Sequence, residues 1–168
     1  MSNLDTITKF NDTAKELIAE KFAFDAWRST SLLIQVLCKM ESYLGSLNED
    51  NPDEQLFDAQ MSVSPVLELI CSSYTVPVSD DRFEEVDEVY TAVVNTFIQD
   101  VSDDATLDIF FLGGLANYIA GMRTYAWDQC VQEAGPTEQR FEALKLAKRD
   151  EKMIEIAMAN VSEFIMPD

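Results

Sequence analysis

Residues 80–88 of the chain, Asp-Asp-Arg-Phe-Glu-Glu-Val-Asp-Glu, place six carboxylates (Asp80, Asp81, Glu84, Glu85, Asp87 and Glu88) in nine positions. Carboxylates this close support one of two chemistries. They converge to hold a divalent cation through hard oxygen ligands, or they stay dispersed on one face as a fixed anionic surface. Further along, "DVSDD" adds Asp100, Asp103 and Asp104, and the stretch around Pro52 adds Glu49, Asp50, Asp53 and Glu54. Most other chemistry is excluded by composition. With no histidine in the chain, imidazole acid–base catalysis, Ser-His-Asp and Cys-His nucleophiles and His-containing metal sites are out. There is no Gly-rich phosphate loop, and residues 48–54 lack the spacing of a calcium hand.

The Glu84-Glu85-x-x-Glu88 spacing resembles the Glu-Glu-x-x-Glu motif of the all-α MazG-type nucleotide pyrophosphohydrolases. That resemblance implies Mg²⁺ held over a triphosphate, with a Glu-x-x-Asp pair on the following helix. Here the counterpart ends at Asp108 in "ATLD", and the position three before it is Ala105 rather than an acid. The likeness is confined to the segment from Glu84 to Asp108. The helical wheel points instead to a surface. With Phe83 at zero and about 100° per residue, Val86, Tyr90, Val93, Val94, Phe97, Ile98 and Val101 share one arc centred near 330°. Asp81, Glu84, Glu85 and Glu88 fall between about 100° and 200°, on the opposite side, while Asp80 and Asp87 border the apolar arc. Asp80 there suits a cap.

A solvated helix start accounts for part of this pattern, since first-turn acids gain about 0.3–1 kcal/mol each from the helix dipole. It does not account for the missing opposite charge. Asp81–Glu85 and Glu84–Glu88 are like-charge pairs at i,i+4, each costing roughly 0.2–0.5 kcal/mol. No lysine occurs between Lys39 and Lys145. The formal net charge is −19, and residues 40–139 hold twenty acids against Arg82 and Arg123 alone. From Asp81 to Glu88 the helix rises about 10.5 Å, roughly one charge per 2.6 Å, approaching the duplex value of about one per 1.7 Å. Such a field repels nucleic acid and anionic membranes and attracts basic surfaces. Small acidic proteins that block restriction enzymes, CRISPR effectors or other DNA-binding proteins work in this physical way. The comparison is one of charge and shape.

These residues must be positioned by helices. Only five Gly and five Pro punctuate 168 residues, and apolar residues recur at three- and four-residue steps. The spacing predicts a first helix carrying Leu4, Ile7, Phe10, Ala14, Leu17, Ile18 and Phe22. A second opens at Arg28–Ser31, capped by its hydroxyls, and stops at Gly45. Residues 46–52 read as a loop. A short helix from Pro52 carries Leu56, Phe57 and Met61, and Ser64–Pro65 reads as a new cap. Residues 73–79 break the pattern, leaving room for a short extended piece. The acidic helix runs from about 80 to 101, a long apolar helix from 105 to 134 forms the centre, and a last helix spans 137–165. Its Lys145, Lys148, Arg149 and Lys152 form a mixed surface with Glu142, Asp150, Glu151 and Glu155.

The expectation is one all-α domain over 1–168, a bundle of about five to seven helices around a central apolar helix near 105–134. Cys38, Cys71 and Cys130 lack any Cys-x-x-Cys spacing and read as reduced core residues. Arg123 and Trp127, at i and i+4, form a candidate cation–π pair. Absence of a cationic start followed by an apolar run argues against a secretory signal, and the interruptions in 105–122 argue against a membrane span. The function expected is an acidic, non-catalytic, cytoplasmic binding protein without cofactor, a DNA-mimic-like inhibitor that occludes a basic nucleic-acid-binding surface of another protein. Its partner would be a basic nucleic-acid-binding protein, with no direct nucleic-acid or membrane contact and a homodimer as one possible state. The partner-binding residues would be Asp80, Asp81, Glu84, Glu85, Asp87, Glu88, Asp100, Asp103 and Asp104. The alternative is a helical adaptor or immunity-type protein that binds one partner through shape.

Overall fold

Asp104 opens the longest helix. Its backbone is extended (φ −112°, ψ 111°) and its carboxylate accepts from the Thr106 N–H at 2.9 Å, the geometry of an N-cap. The helix closes at Gly135, whose φ of +92° an L side chain rarely adopts. Between these signals lies α5 (Ala105–Ala134), the expected central helix, apolar and buried through most of its first half. The computed structural model describes residues 3–23, 25–50, 52–73, 81–98 and 104–164. The other helices are α1 (Asn3–Phe22), α2 (Ala26–Asp50), α3 (Glu54–Ser73), α4 (Asp81–Tyr90) and α6 (Glu138–Phe164), and no strand occurs among the described residues.

α5 packs against α1, α2 and α6; α2 also meets α3 and α4, and α3 lies on α6. Each helix turns one stripe inward, Val86, Val89, Val93, Val94 and Phe97 in the acidic segment and Leu144, Ala147, Ile154, Ala157, Met158 and Val161 in α6. Phe10, Phe97 and Phe111 meet with ring centroids 4.0–5.5 Å apart, fastening α1 and the end of the acidic segment to α5. Close approach is set by Gly114, where a Cβ would sit 2.8 Å from Asn11 Nδ2. α5 is long and apolar enough to cross a membrane by length and composition (mean hydropathy 1.3), yet 56% of that window is buried by its neighbours in the bundle.

Several local expectations give way to tertiary structure. α2 starts earlier than Arg28 because Asp25 caps it, its carboxylate accepting from the Arg28 N–H at 2.8 Å. The hydroxyls of Ser29 and Thr30 instead bond the carbonyls of Phe22 and Ala26 and are buried. Nor does Gly45 end α2, which runs to Asp50 and so takes in most of the expected loop. Pro65 lies inside a single continuous α3, whose true start is capped by Asp53. Pro65 is exposed, and its ring leaves the carbonyl of Met61, also an exposed residue, without a helical donor. Phe57 and Met61, on the first two turns of α3, are 50% and 44% exposed. Residues 74–80, which include most of the possible extended piece, lie outside the described residues.

The acidic helix departs from a regular wheel. After Tyr90 the chain winds as a π-helix over Thr91–Asn95 and stays helical through Ile98. A π turn holds more residues than an α turn, and upstream of it Val89, outside the predicted arc, is buried as well. Cys38 and Cys71 are exposed and Cys130 is half-buried, all three free thiols, so none is the core residue expected.

Candidate acidic binding face

On α4 the side chains of Glu84, Glu85, Asp87 and Glu88 are exposed, and Val86 and Val89 between them are buried. The outward direction derived for Glu84, Glu85 and Glu88 is therefore the one found. Asp87, expected at the edge of the apolar arc, is exposed as well. Asp81 begins the helix, whereas Asp80, Asp100 and Asp103 lie outside the described residues. Asp104 is exposed but engaged as the cap of α5.

The face is not purely anionic. Arg28 Nη2 lies 2.6 Å from Glu85 Oε2, and the same guanidinium pairs with Asp25, so one arginine ties the start of α2 to α4. Both groups remain partly solvated, with Glu85 58% exposed, which limits such a pair to about 0–1 kcal/mol. Lys21, Phe22, Glu85, Glu88 and Val89 line a recess of about 250 Å³ between the end of α1 and α4. Glu85 and Glu88 thus form one bank of a cleft whose other bank carries Lys21.

Behind this face, Asp108 is buried on the first turn of α5 near Tyr43 of α2 and Tyr90 of α4. Burial first, then the Asp108 carboxylate, Tyr90 and a hydrogen bond to Asp108, push the Tyr43 hydroxyl up to about 12. Tyr90 is also raised, by burial and then by Cys38 and Asp87. Burial and Glu41 raise both the Cys38 and the Cys71 thiols, and Cys38 is raised further by Cys71. Asp108 therefore faces the interior while Glu84, Glu85 and Glu88 face solvent. Among the described residues no three acids or cysteines converge in a way that could hold a metal ion. The carboxylate set suggested by the MazG resemblance is dispersed.

A second charged cluster was not anticipated. Arg123 is 4% exposed and reaches Thr30 Oγ1 through Nε at 2.6 Å and Asp150 Oδ2 through Nη1 at 2.7 Å. Asp150 is fully buried, and its other oxygen takes Arg149 Nη2 at 2.9 Å. The Arg123 guanidinium is thus held by Thr30 and Asp150 rather than by Trp127, and Asp150 belongs to no surface. In sequence the only sign was an arginine inside an apolar helix, and its partners lie 93 and 27 positions away. The cluster joins α2, α5 and α6 and is closed to ligands. No protein-family model, curated protein or solved structure matches the chain.

Proposed function

We propose that the chain is an acidic, non-catalytic binding protein of the cytoplasm whose α4 face occludes a basic nucleic-acid-binding surface of another protein. One observation supports this above the rest. Glu84, Glu85, Asp87 and Glu88 are all exposed within little more than one helical turn, anchored from behind by buried Val86 and Val89. Arg28 is the one described base that pairs with them. A rigid helix holds the charges at fixed spacing, which lowers the ordering cost of meeting a basic groove. The bank of the cleft carrying Lys21 would set the partner's orientation by repelling its basic residues.

The test is Glu84→Lys/Glu88→Lys. Both side chains are exposed, so the fold should be kept, and the Arg28–Glu85 pair is untouched. Parent and variant serve as baits for extracts of the native host, with captured proteins identified by mass spectrometry and titrated by calorimetry. The expected result is a basic partner held by the parent and weakened by about 2–5 kcal/mol in the variant. Equal capture by both baits would remove α4 from the reading.

A second reading, a helical adaptor recognised through shape, draws on a different groove. Ala19, Ala23, Tyr118, Gly121, Met122 and Tyr125 line an apolar trough of about 420 Å³ between α1 and α5, with Tyr125 49% exposed. Ionic strength separates the two. Binding through α4 should weaken steeply with salt, and binding in the trough only slightly.

A further inference from the structure

Gly113 and Gly114 stand side by side within α5, although glycine costs a helix more than any residue but proline. Packing explains only one of them. At Gly114 a Cβ would sit 2.8 Å from Asn11 Nδ2, so a side chain there would hold α1 away from α5. At Gly113 a Cβ would meet only the far ends of Met158 and Met40, at 3.2 and 3.7 Å, and both side chains can shift. What the missing side chain leaves is space. A cavity of about 220 Å³ opens beside the two glycines, between α5 and α6, with Met40 of α2 in its wall. Helix stability forgone in this way is characteristic of a site kept open for function.

The walls are apolar where they are deepest. Met40 and Ile109 are fully enclosed and Met158 and Val161 nearly so, whereas Asn117 and Ser162 are exposed polar groups at the rim. Among the described residues no charged side chain and no part of α4 lines the cavity, so the site is separate from the acidic face. Water is poorly held against such walls, because it needs about two to four polar partners. One polar group beside the cavity does lack a partner. Asn11, 7% exposed, lies over Gly114 with its Oδ1 3.7 Å from the Cβ position, and that oxygen accepts no hydrogen bond among the described residues. A buried acceptor left unsatisfied is costly, and a donor arriving at the Gly114 wall would remove that cost.

We propose that this cavity binds a small, neutral molecule built on one aromatic ring and carrying a hydrogen-bond donor. An apolar cavity of about 150 Å³ holds benzene, so about 220 Å³ holds such a ring with space for a substituent. The ring would lie among Met40, Ile109 and Met158, where thioether sulfur makes favourable contacts with aromatic groups. Its donor would point to Asn11 Oδ1. Charged molecules are disfavoured, since an anion meets the net −19 and a cation finds no carboxylate in the walls.

NMR of the full chain with ¹³C-labelled methionine methyls tests this, using phenol and toluene, which differ by a hydroxyl and a methyl. Phenol should shift the Met40 and Met158 methyls saturably, and should bind at least as tightly as toluene although water retains phenol better. Gly113→Leu places a side chain in the cavity and should weaken phenol by more than about tenfold with the helical spectrum unchanged. Gly113→Ala, which the helix should tolerate or prefer, should weaken it about threefold and keeps the test decisive if leucine disturbs the fold. Asn11→Leu should weaken phenol about tenfold and leave toluene within about twofold. Methyls of Met40 and Met158 that do not respond to millimolar phenol overturn the proposal. So does undiminished phenol binding by a folded Gly113 variant, or a folded Asn11→Leu chain that still prefers phenol.

Discussion

Removing either side of the buried Arg123–Asp150 pair should destabilise the fold, and by unequal amounts. In Asp150→Leu the Arg123 guanidinium, 4% exposed, keeps only the Thr30 hydroxyl as partner. A buried charge stripped of its counter-ion costs about 3–5 kcal/mol. In Arg123→Met, Asp150 is still fully enclosed but retains Arg149, which donates through Nε at 3.1 Å and Nη2 at 2.9 Å. The loss should therefore lie at or below the bottom of that range, about 2–3 kcal/mol. With both changes no buried charge is orphaned at Arg123 or Asp150, and the double variant should be more stable than Asp150→Leu alone. Urea unfolding followed by fluorescence of Trp27 and Trp127 reads this directly. For a slope of about 2 kcal/mol per molar, Asp150→Leu should lower the midpoint by about 1.5–2.5 M. Equal losses for the two single variants, or a double variant at the sum of both, would refute the reasoning. The cluster would then be solvated or uncoupled.

Two further outcomes follow from packing and from ionisation. Gly114→Ala should cost about 1–2 kcal/mol, because its Cβ would lie 2.8 Å from the buried Asn11 amide; Gly113→Ala meets the ends of two flexible side chains, Met158 Sδ at 3.2 Å and Met40 Cε at 3.7 Å, and should be neutral or gain up to about 1 kcal/mol, a ranking that thermal melts decide. Tyr43, raised to about 12, keeps its proton in the folded state after the unfolded chain has lost it, so its stabilisation is full below about pH 10 and is lost as pH climbs towards 12. Tyr43→Phe should flatten that alkaline decline in the urea midpoint, and an unchanged slope would count against the buried Asp108–Tyr43 contact.

What the sequence made legible was what its local signals govern. Asp104, Gly135 and Pro136 bracket α5, and the bounds read from them are those observed. The outward turn of Glu84, Glu85 and Glu88 followed from a wheel with a strong apolar side. Failures occurred where a neighbour in space outweighed a local preference. Gly45 is a good helix stop in isolation, but α2 is held against α3 beyond it, with Gln60 3.5 Å from the site of a Cβ. Pro65 costs α3 one backbone bond, but the burial of Val63, Val66, Leu67 and Ile70 on either side of it holds the helix through. Ser29 and Thr30 look like caps because nothing in the sequence shows that Asp25 precedes them in that role. For the same reason Asp150 looks like a surface group and Arg123 like a partner of Trp127, since their pairing exists only once α5 and α6 have folded together.

The π-helical turn at Thr91–Asn95 fixes the compass bearing of the acids. Downstream of it, Phe97 is stacked on Phe111 with centroids 4.0 Å apart and cannot turn. Upstream, an extra residue in the turn rotates everything from Asp81 to Tyr90 by about 100° about the helix axis. A second alanine inserted beside the exposed Ala92 would leave every carboxylate in the chain while swinging Val86 and Val89 out of the core and the glutamates round the axis. Net charge and isoelectric point would be unchanged, and only the heading would differ. Where the acidic face looks is thus written in a residue count, in a segment that contains no acid at all.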